Sequence, residues 1–392
     1  MNDQSTAPVR ATVDMLGTLV SFDTTSYRSN LDLVDFVYEY LSGHGVNARL
    51  DFNKDRTKAN LYAVVGPRES GGIALSGHTD VVPVEGQSWT VDPWRMLERQ
   101  GRYYGRGTTD MKGFIAVALA AVPRILDASL AKPVHICLSY DEEVGCIGVR
   151  SLLDYLAKQE DRPSVCFVGE PTGMDVVIGH KGKLTTHCRV KGQACHSSLA
   201  PQGVNAVEYA AKVITYLSGM AKRKEKEGPF DPVYDVPHTT IHTGVIQGGT
   251  MVNVVPEECR FTFEFRNLPE DSPQDLLDEV QLFARDKLEP GMRAINPETG
   301  FLWEEDSRFP GLDTDPASSV VDLAHRFSGS PGTRKVAFGT EAGGFDRIGI
   351  PAVVCGPGSI QQAHKPDEYI EAGQLAACER FVDRLISHLS AT

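Results

Sequence analysis

The sequence has no surplus of positive charge: 39 lysines and arginines stand against 52 aspartates and glutamates, a formal net charge of −13. Nucleic acids are held largely through counterion release onto a basic face, so no nucleic-acid partner is expected. No apolar run approaches the roughly 20 residues that a membrane span requires, so no membrane partner is expected either. The opening MNDQSTAPVR has neither the basic start nor the apolar core of a secretory leader, which predicts a cytoplasmic protein. The eight cysteines, Cys137, Cys146, Cys166, Cys188, Cys195, Cys259, Cys355 and Cys378, show no CxxC spacing. They are expected as buried, reduced thiols, not as a zinc ribbon or redox pair. There is also no GxSxG elbow and no Walker-type loop, which leaves serine-hydrolase and nucleotide-binding readings without an anchor.

The 392 residues, 41% apolar and 23% charged, are enough to bury a large core split over two domains. LDLVDFVYEYLSGHG has helical apolar spacing and ends on glycines. ANLYAVVGP and GGIALSGHTDVV read as buried strands, followed by a helix over 112–127, the strand PVHICLSY, a helix over 149–158 and the strand SVCFVGE. This alternation predicts an α/β fold, a mainly parallel sheet with helices on both faces. After Glu170 the grammar changes: strand HKGKLTTHCRVKG, a helix over 205–227, strands TTIHTGVIQGG and EECRFTFEFRN, a helix over 274–287 and a last strand within 292–305. That order predicts an inserted α+β open-faced sandwich. The βα grammar then returns through TRKVAFGTEAGGF, GIPAVVCGPG and a helix over 371–389. The expected organisation is a catalytic domain in two parts, 1–180 and 306–392, interrupted by an inserted domain over 181–305.

Residues suited to metal chemistry sit after the strands of the first domain. His78 ends one, and Asp80, two residues on, is placed to hold the second nitrogen of its imidazole. Asp110 follows the turn Gly105-Arg106-Gly107 and is a candidate bridge between two cations, whose mutual repulsion a shared carboxylate relieves. Glu142 and Glu143 are neighbours, so one can ligate while the other faces a substrate. Glu170 precedes Pro171, which keeps it extended at the end of its strand. His364 lies in the turn-rich GPGSIQQAHKPDE.

SGHTDVVP, GRGTTDMKG, SYDEEVG and GEP occur here in the order found in the M20 family of two-metal aminopeptidases and deacylases, which the chain resembles from about residue 70 to 370. The resemblance implies a zinc-exopeptidase-like catalytic domain with a lid and dimerisation insert. It implies that His78, Asp110 and Glu170 hold one divalent metal and that Asp110, Glu143 and His364 hold the other. Glu142 is then the general base and Asp80 the support of His78. This donor set suits zinc, with cobalt or manganese as alternatives. His196 in GQACHSSLAPQG is similar to a family histidine that reaches the active site from a partner subunit, implying a homodimer. Arg266 and Asn253 resemble lid residues that grip a substrate carboxylate, although Glu264 stands where many relatives have aspartate. GTEAGGF and AVVCGPGSIQQAHKPDEYI are most similar to the family members that cleave N-acetyl-L-ornithine. Those that cleave succinyl-diaminopimelate or other N-acyl amino acids, and the family's carboxypeptidases, are the alternative, a non-catalytic dimeric binding protein of the same fold being a further one. Glu341 is the candidate for the substrate ammonium.

Overall fold

The computed structural model describes residues 7–390. Most of the opening MNDQSTAPVR lies outside them. The chain forms two compact units: residues up to Gly179 with Leu312–Lys335 and the segment from Thr340 on, and His180–Gly311 with Val336–Gly339.

The first unit is built on a large sheet in which Ala48–Phe52, Ala59–Val65, Val134–Ser139, Ile73–His78, Val165–Pro171, Ala352–Gly356, Val176–His180 and Leu312–Asp313 are successive neighbours. Its centre is parallel, Ile73–His78 pairing with Val134–Ser139 and Val165–Pro171, and Val165–Pro171 with Ala352–Gly356. Alternation along these strands sends Leu61, Leu75, Ile136 and Phe167 to one face and Tyr62, Cys137 and Cys166 to the other. Helices Leu31–Gly43, Lys112–Ala120, Ser319–Ser328 and Ala372–Ser390 cover the first face. Tyr155 of the helix Val149–Leu156 packs edge-on against Tyr62 on the second. Phe167, Phe327 and Phe381 are buried and meet at centroid distances of 5.1–5.8 Å in edge-to-face pairs, locking two helices onto the central strand. Each such ring contributes about 2–3 kcal/mol by burial alone. Seven of the eight cysteines are buried, all eight are unpaired, and burial pushes the Cys137 and Cys166 thiols up.

In the second unit the strands run in the order Thr240–Gly248, Glu258–Asn267, Gly182–Lys191, Gly300–Phe309, all antiparallel. Cys259, Phe261, Phe263 and Phe265 alternate onto one face, where Ala206–Glu227 and Pro273–Phe283 cover them. Both helices start as their sequences dictate. Asn205 accepts from the N–H groups of Val207 and Glu208, and Ser272 accepts from Asp275 ahead of Pro273 in the first turn.

Two of the expected elements divide or shift, and the helix Arg10–Val20 and several short strands add to those expected. The helix expected over 112–127 is two, Lys112–Ala120 and Val122–Asp127, because Pro123 cannot donate within a continuous helix. The strand expected within 292–305 is Gly300–Phe309, since Glu289–Arg293 stays helical.

Candidate active site

The parallel register sets the depth of each side chain. Ser76 is level with Val168, so His78 and Glu170, each two residues further on, end level at one edge of the sheet. Ser139 is level with His78 on the other side, and the chain then turns through Glu142 and Glu143. The loop before Lys112–Ala120 brings Asp110 over this edge. His78 Nε2 lies 3.1 Å from Asp110 Oδ1 and 3.6 Å from Glu170 Oε1. His364 Nε2 lies 3.2 Å from Asp110 Oδ2 and 3.1 Å from Glu143 Oε2. The two oxygens of one aspartate thus face two different imidazoles. His78, Asp110 and Glu170 form one group, and Asp110, Glu143 and His364 a second, each with ligand atoms within 4.8 Å of one another. His364 has a left-handed backbone, φ 62°, a conformation costing a residue with a Cβ roughly 1–2 kcal/mol.

The supports of these side chains are specific. His78 Nδ1 donates to the Asp80 backbone oxygen at 2.9 Å, leaving Nε2 to act as a ligand. The Asp80 carboxylate is further away, 3.6 Å, and has a task the sequence did not reveal. It accepts from Ser26 Oγ at 2.8 Å and from the N–H groups of Glu142 and Glu143 at 3.1 and 3.2 Å, fixing the acidic turn. Glu142 belongs to neither ligand group, and Cys146 Sγ donates to it at 3.4 Å. Glu341 immediately precedes the short helix Ala342–Arg347 without its side chain capping it and accepts from Ser139, while its Oε2 has no hydrogen-bond partner. Ser26 and Ser139 escaped the sequence reading; for Ser139 the available signal was a small polar residue ending a core strand, and Ser26, in a turn, offered none.

The electrostatics call for cations. Burial raises Glu170 well above its usual range, with Asp110 adding to it. Burial and Asp110 raise Glu143 to about 7. Glu142 is raised by burial and by Glu143 and Glu341. His78 is raised although burial opposes it, because Glu170, Asp110 and Asp80 surround it. With no divalent ion, protons must hold this crowd of carboxylates together. Two imidazoles, a shared aspartate and two further carboxylates are the donor set of a pair of borderline or hard divalent metals, so the residues fit such ions.

The strand carrying Glu170 is held tightly. A Cβ on Gly169 would lie 2.0 Å from the Phe114 ring. Gly169→Ala is expected to cost about 1–3 kcal/mol by overpacking and to weaken metal uptake by displacing Glu170. Urea unfolding and metal titration measure both, and Phe114→Ala in the same chain should restore part of each.

In the second unit, His196 is exposed and its Nδ1 lies 2.8 Å from Ser198 Oγ. Its segment bridges to that of Asn253 through Ser197 N–H to the Asn253 oxygen, 3.0 Å, at the Glu258 end of the sheet. Arg266 stands at the other end of Glu258–Asn267, its Nε 3.0 Å from Glu264 Oε1. The strand from Cys259 to Arg266 spans about 23 Å at roughly 3.3 Å per residue. Within one unit the structure brings His196 and Asn253 together but not Arg266.

An α/β sheet that gathers two histidines and a shared aspartate at the carboxyl edge of its parallel strands defines a class, the metal-dependent hydrolases of amide bonds. The profile of the peptidase family M20/M25/M40 matches residues 74–388, and the chain belongs to that family. It is 36% identical over 382 residues to an acetylornithine deacetylase of Myxococcus xanthus, covering 94% of this chain and 95% of the relative. It is 32% identical over 379 residues to that of Photorhabdus laumondii, covering 96% and 94%. A dinuclear metal-binding M20 peptidase of Bacillus subtilis superposes with a TM-score of 0.65 at 14% identity, covering 96% of each chain.

Proposed function

We propose that the chain is an acetylornithine deacetylase, hydrolysing N2-acetyl-L-ornithine to L-ornithine and acetate for arginine synthesis with two zinc ions, cobalt or manganese being able to replace them. The observation that carries the chemistry is Asp110, whose two oxygens face the two imidazoles. The substrate reading is supported by the two deacetylase relatives. His78, Asp110 and Glu170 would hold one ion, and Asp110, Glu143 and His364 the other. Bound there, the ions supply positive charge that acidifies a water and polarises the amide carbonyl. Glu142 Oε takes the water proton as the new C–O bond forms, then delivers it to the amine nitrogen as the C–N bond breaks. Asp80 keeps Glu142 aimed through its hold on the backbone of the turn. Glu341, with one unpartnered oxygen, is assigned to the substrate ammonium.

His196 and Asn253 are assigned to the oxyanion and the substrate, and Arg266 to its carboxylate, held by two parallel hydrogen bonds. An amino-acid-sized substrate does not span the distance between them, which supports a homodimer in which His196 and Asn253 come from a partner copy. The inserted unit then serves as lid and dimerisation domain. Unpaired thiols support a cytoplasmic setting. Among N-acyl amino acids assayed with added zinc or cobalt, acetylornithine is expected to give the highest kcat/KM. Turnover of succinyl-diaminopimelate in its place would move the assignment to a desuccinylase.

A further inference from the structure

Beneath the two ligand groups lies a buried ion pair whose members are not metal ligands. Arg106 and Glu368 are each 1% exposed, and Arg106 Nη1 donates to Glu368 Oε2 at 2.7 Å. Glu368 is the last residue of HKPDE, the run that begins with His364. Its carboxylate is saturated by the loop that carries Asp110. Oε2 also accepts from the Gly107 N–H at 2.9 Å, while Oε1 accepts from the N–H groups of Thr109 and Asp110 at 2.9 and 3.1 Å.

The guanidinium faces the other loop. Arg106 Nη1 approaches the Lys365 oxygen at 3.4 Å, and Nη2 donates to Gln87 Oε1 at 2.6 Å. Gln87 Nε2 in turn donates to the backbone oxygen of His364 at 3.1 Å. Trp89 donates to the same Gln87 oxygen and places its ring 5.0 Å from the guanidinium carbon. The backbone of Asp110 and that of His364 are therefore tied to one another through Glu368, Arg106 and Gln87. An ion pair this deep is weak support for stability on its own, because desolvation offsets the attraction. Its hydrogen bonds go to the two segments whose separation sets the second ligand group.

We propose that Glu368, Arg106 and Gln87 are positioning residues that fix the His364 loop against the Asp110 loop and thereby set the affinity of the second metal position, Asp110–Glu143–His364. The proposal rests on the two-metal reading above. Asp110 has further anchorage in the helix that follows it, where the Lys112 N–H donates to the Gly107 oxygen at 2.7 Å. His364 is half-exposed on a left-handed backbone. Loosening the tie therefore acts first on His364, and so on the second ion rather than the first. Glutamine at 368 keeps shape but not function: either orientation of its amide sets an NH2 against two donors.

The test is cobalt(II) titration of the metal-stripped full chain, followed by visible absorbance and calorimetry, for the unaltered protein, Glu368→Gln and Gln87→Ala. Gln87 sits on a partly exposed turn, so its truncation keeps the proposal decidable if Glu368→Gln does not fold. Two equivalents are expected for the unaltered protein. In each folded variant the first equivalent should bind as before, and the second at least about 10-fold more weakly, with kcat lowered more than KM is raised. Unaltered binding of both equivalents in Gln87→Ala would overturn the proposal. So would equal weakening of both in step with a lower unfolding midpoint, which marks a purely structural pair. Fewer than two equivalents in the unaltered protein would instead defeat the two-metal reading, and this proposal with it.

Discussion

Replacing Glu142 by alanine or glutamine is expected to lower kcat at least about 100-fold while the protein still binds two metal ions. A general base contributes roughly 100- to 10,000-fold, and Glu142 stands in neither ligand group, whereas Asp80 is engaged by Ser26 and the turn N–H groups and Glu341 by Ser139. Its neighbour Glu143 is committed to His364. Asp80 holds the backbone N–H groups of both, so removing the Glu142 side chain leaves the turn and the ligand at 143 in place. Burial and the neighbouring Glu143, Glu341 and Asp80 carboxylates push the Glu142 carboxyl well above its usual range, which favours its protonated form. Divalent charge nearby favours the ionised carboxylate that can accept a proton, so metal loading and the fraction of Glu142 competent as a base are expected to rise together. Metal content measured by elemental analysis beside the turnover number separates the outcomes. Retained activity would assign the proton to another group, and activity lost together with metal would make Glu142 a ligand.

Much of this site was legible in the sequence because parallel strands deliver side chains to one edge: apolar runs ending in His78, Glu170 and the Glu142–Glu143 pair mark that edge without coordinates. What lies across the chain was not legible. Asp80 was readable as a neighbour of His78, but its hold on the Glu142 turn, 62 residues away, is a contact in space. The strands Leu97–Arg99, Arg102–Tyr104 and Tyr369–Glu371 are too short to show periodicity, yet their small sheet leads into the Arg106 loop and takes up the chain after the His364 loop. The first helix, Arg10–Val20, was missed although its Val13, Leu16 and Val20 are buried. It begins at Val9 without a capping side chain, so the usual start signal is absent. The separation of Arg266 from His196 followed from strand register, which single-sequence reading does not supply.

Chelation is expected to abolish turnover and to lower thermal stability by an amount that grows with pH. The sign follows from where protons sit. Glu143 has a folded pKa of about 7 against 4.5 for the free group. A carboxyl raised in this way stabilises the fold fully below pH 4.5, and the contribution is lost as pH rises through 7. Glu170 and Glu142 are raised by burial and act in the same direction. His364 is raised to about 10 by Asp110 and Glu143, so its contribution is present below 6.5 and lost towards 10. Asp110 is lowered, although burial opposes this, by the two imidazoles. Its contribution is lost only at acid pH, outside the window of pH 5–8. The metal-free protein should therefore weaken steadily from pH 5 to 8. Divalent ions displace those protons, and the unfolded chain offers no assembled site, so metal affinity and its stabilisation rise over the same interval. A melting-temperature gap between loaded and chelated protein on the order of 5–10 °C is expected at pH 8, shrinking markedly at pH 5. Calorimetry across that range decides the matter: a gap independent of pH, or widest at pH 5, would mean that protons and metal ions do not compete for these side chains.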